Sequence, residues 1–453
     1  MSKWPLHVSK LNNSHRVVGS DVVPLAISDH SLIYGIFKSG VPKAPPRIVE
    51  HRTYKKYNKS AFIKDINELN WSINDDMDVD SGVNLWNTLF SKVANSHAPI
   101  KKTRIKGIPA PWMTSELNQL VHDRDYPHTK AVKSNSKYHW ARYRKLKQVV
   151  KKRVEECKAS YYKYLIEKNS GNPGELWRTL NEITSRKNVS PPSFIQSNGC
   201  QVTNPKLISC LLNDHFVTVG NKLSSKFQTV CSALGKILPS ASKQNAQSND
   251  FSFTPVGESF VFKQLKTLKI NKAIGLDKIS SRLLKDSAES IAPVLTRLFN
   301  RSLDSSVFPA IWKQGKVTAL FKSGDKSDCN NYRPITVLPT VSKILERAVH
   351  QQLYGYLTES NLLTTKQFGF RPKLSTEVAL AHFTDRVLEK LDNRMLTGAV
   401  FLDLSKAFDT VDHSLLLTKL KQNDNVTGWF KSYLSNRFQL TAVGDVQSTP
   451  RPI

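Results

Sequence analysis

Residues 401–413 have the sequence FLDLSKAFDTVDH, in which three aspartates lie within ten positions of one another. The first of them, Asp403, follows the apolar run GAVFL. An ionised carboxylate in an apolar site is costly unless it is paired or coordinates a metal. We therefore expect Asp403 either to cap the turn that follows it or to bind a cation, and the rest of the sequence must distinguish the two.

Residues 398–404, GAVFLDL, predict a β-strand because they are rich in β-branched and aromatic side chains. Side chains alternate along a strand, so Phe401 and Asp403 would share one face and Leu402 and Leu404 the other. The Asp403 carboxylate would then lie at the carboxyl end of a strand, where many phosphoryl-transfer enzymes hold Mg²⁺. Taken alone, an aspartate at a strand end more often caps a turn.

The whole chain is strongly basic, with 66 Lys and Arg against 37 Asp and Glu in 453 residues, a formal net charge of +29. Such a charge favours polyanionic partners, above all nucleic acid, with an anionic membrane surface as the alternative. No apolar run approaches the roughly 18 residues of a membrane span, and the N-terminus lacks the apolar core of a secretory signal. The five cysteines show no C-x-x-C spacing, which argues against a disulfide framework or a zinc site. We expect an intracellular protein, nuclear or cytoplasmic, that is neither secreted nor bound to a membrane.

The length is enough for two or more domains. Residues 17–37 cluster β-branched side chains around the polar SDH and predict two short strands. A Pro-rich break at 39–47 predicts a boundary, and the Ser-, Asn- and Gln-rich stretch 232–250 predicts a flexible linker. Hydrophobic patterning further predicts helices over 257–269, 279–303 and 341–357 and a strand over 315–321.

Residues 101–187 carry 21 Lys and Arg against 8 Asp and Glu, a net charge of +13. Within them, 137–168 contain no Gly or Pro and predict one long helix, on which Trp140, Tyr143 and Leu146 keep helical spacing. Most charged runs are solvated helix faces, but here aromatic side chains are interleaved with charge of one sign. We interpret this region as a nucleic-acid contact, with a solvated surface as the alternative.

The D-x-x-x-x-F pattern from Asp403 to Phe408 resembles the first palm motif of reverse transcriptases, most closely those of non-long-terminal-repeat (non-LTR), LINE-type and jockey-like retrotransposons. Further segments resemble other parts of these enzymes: LKINKAIGLDKISSRLLK (268–285), FPAIWKQGKVTALFKSGD (308–325), KSGDKSDCNNYRPITVLPTVSKILE (322–346), QFGFRPKLSTEVAL (367–380) and WFKSYLSNRFQ (429–439). Each motif alone is weakly specific, but their shared order over about 185 residues is specific. The resemblance implies an α+β fold: a truncated right-hand polymerase with fingers and a partial palm, preceded by a mainly helical basic connector and a short β remnant of an endonuclease.

The resemblance also implies a role for each matching residue. Asp403 would be the first catalytic ligand of Mg²⁺ in a two-metal site, assisted by the Leu404 carbonyl. Phe408 would lie beneath the sugar of the incoming dNTP and exclude a 2′-OH, although an ordinary buried aromatic would fit the position as well. Arg371 would bind the triphosphate through its guanidinium, the alternative being an exposed or carboxylate-paired arginine.

Two basic residues and one helix N-cap are also predicted in this part of the sequence. Arg333 in NYRPI, together with Lys322, would contact phosphates of the template or nucleotide. Asp412 or Ser414 is the expected N-cap of a helix that includes LLLTKLKQ (415–422).

The first forty residues contain AISDHSLI (26–33), which resembles the end of the apurinic-endonuclease-like nuclease that precedes many such polymerases. There Asp29 would orient His30, which would bind the scissile phosphate; the alternative is an ordinary loop Asp-His pair. The resemblance divides the chain into an endonuclease remnant over 1–40, a helical basic connector with linkers over 41–250, and the N-terminal part of a reverse transcriptase domain over 251–453.

Palm polymerases need further catalytic carboxylates, which in this family lie in an aromatic-x-D-D hairpin. The one adjacent aspartate pair here, Asp75–Asp76, lies upstream and lacks the aromatic residue two places before it. The resemblance therefore implies an internal piece of an RNA-directed DNA polymerase, incomplete and inactive by itself. Its partners would be an RNA template, a DNA primer or target, retroelement RNA and dNTPs. The alternative is a non-catalytic nucleic-acid-binding protein derived from a retroelement.

Overall fold

The computed structural model describes residues 17–24, 31–37, 47–74, 76–105, 110–183, 192–197, 199–234, 251–404, 406–420 and 423–453, and of 17–24, 31–37, 47, 105 and 224–234 it describes the backbone alone. Asp29 and His30 lie outside the described residues, as does 235–250, most of the predicted linker. The chain forms two compact units, Met1–Val49 with Arg104–Pro109, and Glu50–Thr103 with Ala110–Ile453.

Helices and strands are mixed along the described residues, as the α+β class predicts. The α-helices are α1 (Lys59–Asn67), α2 (Val79–His97), α3 (Ser115–Ser134), α4 (Lys137–Lys168), α5 (Pro173–Ile183), α6 (Pro205–Leu234), α7 (Glu258–Lys266), α8 (Ser281–Asp286), α9 (Ala288–Asp304), α10 (Thr340–Glu359), α11 (Thr376–Asp392), α12 (His413–Lys419) and α13 (Asp424–Leu434). The strands are β1 (Val17–Pro24), β2 (Ser31–Phe37), β3 (Arg47–Arg52), β4 (Ile100–Ile105), β5 (Ile195–Ser197), β6 (Cys200–Val202), β7 (Gln314–Phe321), β8 (Tyr332–Val337), β9 (Phe438–Val443), β10 (Val446–Gln447) and β11 (Arg451–Pro452). Short 3-10 helices lie at Ala310–Lys313 and Cys329–Asn331.

The smaller unit contains an antiparallel hairpin of β1 and β2. The two strands pair from Val17 opposite Phe37 to Pro24 opposite Ser31. This pairing confirms the two short strands that the sequence predicts in this region. Elsewhere, β3 pairs with β4 and β5 with β6 in separate two-stranded sheets.

The larger unit contains a helical core centred on α9. Ile291, Leu295 and Leu298 recur on one side of this helix and are completely buried. From α2 come Trp86 and Phe90, whose rings stack with centroids 5.1 Å apart. The same buried cluster includes residues of α1, α7, α8, α10 and α13. The core thus draws on helices from both sides of position 250, and the domain division at that position stays a prediction.

A second core lies between a five-stranded sheet and α6. The strand order is β10-β9-β7-β8, β11 also pairs with β9, and β7 is parallel to β9 but antiparallel to β8. Ile208, Leu212 and Phe216 of α6 pack in one buried cluster with Val317 and Tyr332 of the sheet. Because strand side chains alternate, the neighbouring residues of β7 and β8 point away from α6.

The strand predicted over 398–404 is not formed. These residues have no regular secondary structure and pair with none of the strands that the structure describes. Val400, Phe401 and Leu402 are 85%, 83% and 87% exposed, so the two faces expected from strand alternation do not differ in burial. The prediction is wrong because β-propensity measures how well a side chain fits a paired, half-buried surface. The described part of the chain offers this segment no such surface.

Most other predicted elements are confirmed, with small changes. The predicted ranges 137–168, 257–269, 315–321 and 341–357 contain or lie within α4, α7, β7 and α10. The helix predicted over 279–303 is divided at Ser287 into α8 and α9. Residues 232–234, assigned to the linker by composition, belong to α6 instead. None of the helices in the described ranges has the length and apolar character needed to cross a membrane.

Candidate active site

The segment that resembles the first palm motif consists of a tight turn and the residues just before it. Asp403 lies in the stretch without regular secondary structure that precedes this turn, and it is exposed. The amide of Asp409 donates to the Lys406 carbonyl oxygen at 2.9 Å, and Lys406 adopts a left-handed φ of 52°. Phe408 lies on the turn and is 78% exposed. The carboxylate and the aromatic ring are therefore both open to a ligand. We call residues 398–410 the Asp403 segment.

The loop that carries Arg371 lies against the Asp403 segment. The rings of Phe370 and Phe408 meet edge to face, with centroids 5.9 Å apart and an interplanar angle of 84°. Phe370 has a φ of 61°, a region that bulky residues rarely occupy. Next to it, Nη1 of Arg371 donates to the Thr364 carbonyl oxygen at 2.9 Å. Two of the motifs recognised in the sequence are thus in contact.

Helix α11 makes a second aromatic contact with the Asp403 segment. The rings of Phe383 and Phe401 lie 5.9 Å apart at an angle of 58°. Both side chains stay largely exposed, at 41% and 83%. At Phe401, a contact between single rings therefore takes the place of the ladder of hydrogen bonds that a strand would have formed.

Helix α6 supports the turn at two points. A Cβ added at Gly220 would lie 2.1 Å from the Asp409 carbonyl oxygen, so the helix backbone and the turn are in close contact. In addition, Nζ of Lys406 lies 3.2 Å from Nε2 of His215. Burial, assisted by the nearby Lys406 charge, lowers the pKa of His215 to about 4. At neutral pH the uncharged imidazole can therefore accept a hydrogen bond from the Lys406 ammonium group.

The contacts of His215, Gly220 and Lys406 could not be predicted from the sequence. His215 and Lys406 are 191 positions apart, and local patterning contains no information about such a pair. One signal was present, because a glycine inside a helix costs about 1 kcal/mol relative to alanine. A glycine kept inside a helix in spite of that cost usually has a packing or functional reason.

Arg333 lies on β8 of the sheet, and Lys322 directly follows β7. Neither residue belongs to the Asp403 segment. Arg333 is opposite Leu320 in the β7–β8 ladder, and the amide of Lys322 donates to the Asn331 carbonyl oxygen at 2.8 Å. Both basic side chains are exposed, on the face that α6 leaves uncovered. Within the part of the chain that is described, no hydrogen bond, ion pair or ring contact joins them to residues 398–410.

Asp412 has a structural role that separates it from Asp403. It is the N-cap of α12, as predicted, because the Ser414 hydroxyl and the amides of Ser414 and Leu415 donate to its carboxylate. These hydrogen bonds lower the pKa of the Asp412 carboxyl. No described residue engages the Asp403 carboxylate in this way, which leaves it available to a ligand.

The residues around Asp403 fit part of a divalent-cation site. In the described residues, no group of three or more His, Cys, Asp or Glu side chains could hold a metal ion by itself. Mg²⁺, however, commonly binds one or two carboxylates and completes its coordination with waters and substrate phosphates. An exposed Asp403 carboxylate beside the Leu404 carbonyl meets that smaller requirement. A nucleotide triphosphate would have to supply further oxygen ligands.

Comparison with known proteins gives a family match for this region. Residues 322–451 match the family model described as reverse transcriptase (RNA-dependent DNA polymerase). The matched range contains all of the predicted polymerase residues: Lys322, Arg333, Arg371, Asp403, Leu404 and Phe408.

Most of the chain is similar to curated proteins from mobile elements of Drosophila melanogaster. The probable RNA-directed DNA polymerase from transposon BS is 22% identical over 99% of this chain and 48% of its own length. The RNA-directed DNA polymerase from the mobile element jockey is 23% identical over 94% and 47%, respectively. The corresponding protein of the X-element is 25% identical over 92% and 46%, so the chain spans about half the length of these relatives. Residues 322–451 therefore match the reverse transcriptase family model, and most of the chain is similar to the RNA-directed DNA polymerases of jockey-like, non-LTR retrotransposons.

Proposed function

We propose that the chain supplies the fingers and the first part of the palm of an RNA-directed DNA polymerase of a non-LTR retrotransposon. The proposal rests mainly on the contact between Phe370 and Phe408, which brings the Arg371 loop beside the segment that carries Asp403. In this assignment, residues 1–40 are the endonuclease remnant, 41–250 the connector and 251–453 the polymerase part.

Asp403 is the metal-binding residue of the proposed site. Its carboxylate and the Leu404 carbonyl would hold one Mg²⁺, which when bound stabilises the charge that develops on reacting phosphoryl oxygens. The protein's contribution is to hold the carboxylate open to solvent on an anchored segment. Phe401 anchors that segment to α11 before the aspartate, and Lys406 anchors it to α6 after the aspartate.

Arg371 and Phe408 would bind the incoming deoxynucleotide. Because Nη1 of Arg371 is held by the Thr364 carbonyl, the guanidinium keeps its other donors for phosphate oxygens. The exposed ring of Phe408 would pack beneath the sugar. A ring in contact with C2′ leaves no room for a hydroxyl group there, so this residue would select dNTPs over rNTPs.

Lys322 and Arg333 would bind phosphates of the RNA template or of the template–primer duplex. Their face of the sheet also exposes apolar side chains, with Leu320 at 43% and Ile335 at 47%. A surface that combines positive charge with apolar groups suits the alternating phosphate and sugar surface of a nucleic-acid backbone.

Nucleotide crosslinking tests these roles residue by residue. The chain, bound to an RNA template with a DNA primer, is irradiated in the presence of Mg²⁺ and a radiolabelled dNTP or rNTP. Arg371→Ala should lower crosslinking of both nucleotides by roughly tenfold or more, since hydrogen bonds to charged groups contribute about 1.5–3 kcal/mol. Asp403→Asn should remove the dependence on Mg²⁺, and Phe408→Ala should raise the rNTP signal to that of the dNTP.

A matched control for the arginine is Arg347→Ala. Arg347 is an exposed arginine of α10 that donates to Gln264 at 2.6 Å. Its replacement should leave crosslinking unchanged. If template–primer binds but dNTP and rNTP crosslink equally in the wild type and every variant, the polymerase proposal fails. The remaining interpretation would then be a non-catalytic nucleic-acid-binding protein derived from a retroelement.

A further inference from the structure

Helices α3 and α4 fold back on each other as a hairpin (residues 115–168, the basic hairpin). Asn135 between them adopts a left-handed φ of 47°, a common way to end a helix and turn the chain. Near this connection, the rings of His128 and Tyr143 lie 4.6 Å apart. Towards the other end, Trp112 lies 5.8 Å from Tyr162. Aromatic contacts therefore join α4 to α3 near the connection, and to Trp112, which precedes α3, towards the other end.

The aromatic residues interleaved in the sequence are largely used inside this seam. The half-buried ones on α4 are Trp140, Tyr143, Tyr161 and Tyr162. Base stacking needs an open ring face. Tyr126, Tyr138 and Tyr164 do remain exposed, but lysine ammonium groups lie over the rings of Tyr126 and Tyr164, at 4.9 and 5.6 Å. The arrangement therefore favours charge, more than stacking, as the means of contact with a ligand.

A basic ridge runs along α4. Its members recur every seven residues: Lys137, Arg144, Lys151 and Lys158. Seven residues are nearly two helical turns, so the four side chains stay on one side of the helix and drift by only about 20° per step. At a rise of 1.5 Å per residue, the ridge is about 31 Å long.

The charges of this ridge are not neutralised by the protein. All four side chains are exposed, and none of them takes part in an ion pair within the described residues. The Lys158 ammonium group lies 5.1 Å from the centroid of the Trp112 ring, a contact that leaves its positive charge without a counter-charge. Arg153 does form ion pairs, with Glu116 at 3.9 Å and Glu156 at 3.1 Å, but it lies on another side of the helix. Residues 137–154 include eight Lys and Arg and no Asp or Glu. The ridge therefore needs counter-charges from a ligand.

We propose that the basic ridge binds the sugar–phosphate backbone of a double-stranded nucleic acid without reading its bases. A length of about 31 Å corresponds to roughly nine base pairs at 3.4 Å each, and a duplex presents phosphates along all of it. A row of charges that winds only slowly around a rigid helix matches a stiff duplex, and phosphate contacts require no base-specific groups. The inference uses no residue of the range 322–451, so it can fail while the polymerase proposal holds.

An anionic membrane is a weaker match to the same surface. A basic helix that lies on a membrane must bury an apolar face in it. On the apolar side of α4, Val150 is 3% exposed and Leu146, Val154 and Leu165 are half-buried, so little of that side is open to a membrane.

Salt-dependent binding of the full chain tests the ridge. Fluorescence anisotropy is measured with double-stranded RNA, an RNA–DNA hybrid and double-stranded DNA of one sequence, each of about 20 base pairs, or two helical turns. The ridge variant combines Lys137→Gln, Arg144→Gln, Lys151→Gln and Lys158→Gln. The control variant removes the same charge from exposed positions off the ridge: Lys133→Gln, Arg142→Gln, Lys163→Gln and Lys168→Gln.

The expected readout is the slope of log K against log salt. Each neutralised phosphate contributes about 0.9 to that slope, so the ridge variant should lose about 3 to 4 and the control about 1 or less. The duplex that binds most tightly identifies the nucleic acid concerned. Far-ultraviolet circular dichroism should show the same helix content in both variants.

Three results would overturn the inference. Equal losses in the ridge and control variants would mean that overall charge, and not the ridge, binds the duplex. A single strand bound more tightly than any duplex, with the advantage lost in Tyr138→Ala, would indicate base stacking. Phosphatidylserine-containing vesicles that compete with the duplex for the ridge would indicate a membrane surface.

Discussion

Replacing Gly220 by alanine should displace the turn that carries Phe408 while the sheet stays folded. An added Cβ would lie 2.1 Å from the Asp409 carbonyl oxygen and must move by about 0.9 Å to reach the 3.0 Å minimum of real Cβ contacts. Alanine favours the helix by about 1 kcal/mol, because glycine loses more freedom on folding. Overpacking typically costs about 1–3 kcal/mol. The net change in the free energy of unfolding should therefore lie between zero and a loss of about 2 kcal/mol.

Gly355→Ala is the matched control for this substitution. Gly355 also lies in a helix, α10, but no heavy atom is within 4 Å of its added Cβ. In urea unfolding it should gain about 1 kcal/mol, so Gly220→Ala should be about 1–3 kcal/mol less stable than the control. In the wild type the Asp409 amide donates a hydrogen bond to the Lys406 carbonyl oxygen. Hydrogen exchange of this amide should become faster in Gly220→Ala but not in Gly355→Ala. Equal stabilisation by the two substitutions would refute the contact between α6 and the turn.

Other experiments test the sheet, the half-buried His215 and the irregular segment 398–404. Asn213→Ala removes the buried acceptor of the Thr441 hydroxyl and should lower the free energy of unfolding by about 2–4 kcal/mol in urea titration; a loss below about 0.5 kcal/mol would contradict that role. His215 has a pKa near 4 in the folded state against an ordinary 6.5, so the unfolded state binds its proton more readily. The contribution of His215 to the free energy of unfolding is present above pH 6.5 and is lost as the pH falls towards 4. In His215→Gln the free energy of unfolding should depend less on pH over this range. An unchanged pH dependence would contradict the lowered pKa of His215. In hydrogen-exchange mass spectrometry, residues 398–404 should exchange faster than α10, and the reverse order would argue against an unpaired segment.

Elements with a strong local pattern were predictable from the sequence. The ends of α4 agree with the predicted helix because 137–168 contain neither Gly nor Pro and keep helical spacing throughout. The range of α10 follows in the same way from a buried apolar face that includes Val341, Leu345 and Val349. Residues 398–404 have an equally clear composition, but a strand depends on a neighbour that the local sequence does not contain.

The candidate site was predictable only where its residues belong to recognisable motifs. Asp403 and Phe408 belong to one short pattern and Arg371 to a second, and the contact between Phe370 and Phe408 joins the two segments concerned. The roles of these residues in catalysis and nucleotide binding stay predictions. The support from α6 could not be anticipated, because it depends on contacts between residues far apart in the chain.

Helix α6 contacts both the sheet and the Asp403 segment. The part of the connector that contains α6 therefore does more than separate two domains. The same helix buries Val317 of the sheet and, through Asn213, accepts a hydrogen bond from Thr441 of β9 at 3.1 Å. Removing it would expose that apolar face to water and leave a buried hydroxyl without its partner, and both effects are unfavourable. Since His215 and Gly220 of α6 also contact the turn, a shift of the helix on the sheet must change the position of Phe408. Substitutions in 205–220 can therefore alter nucleotide selection at the proposed site without touching a nucleotide.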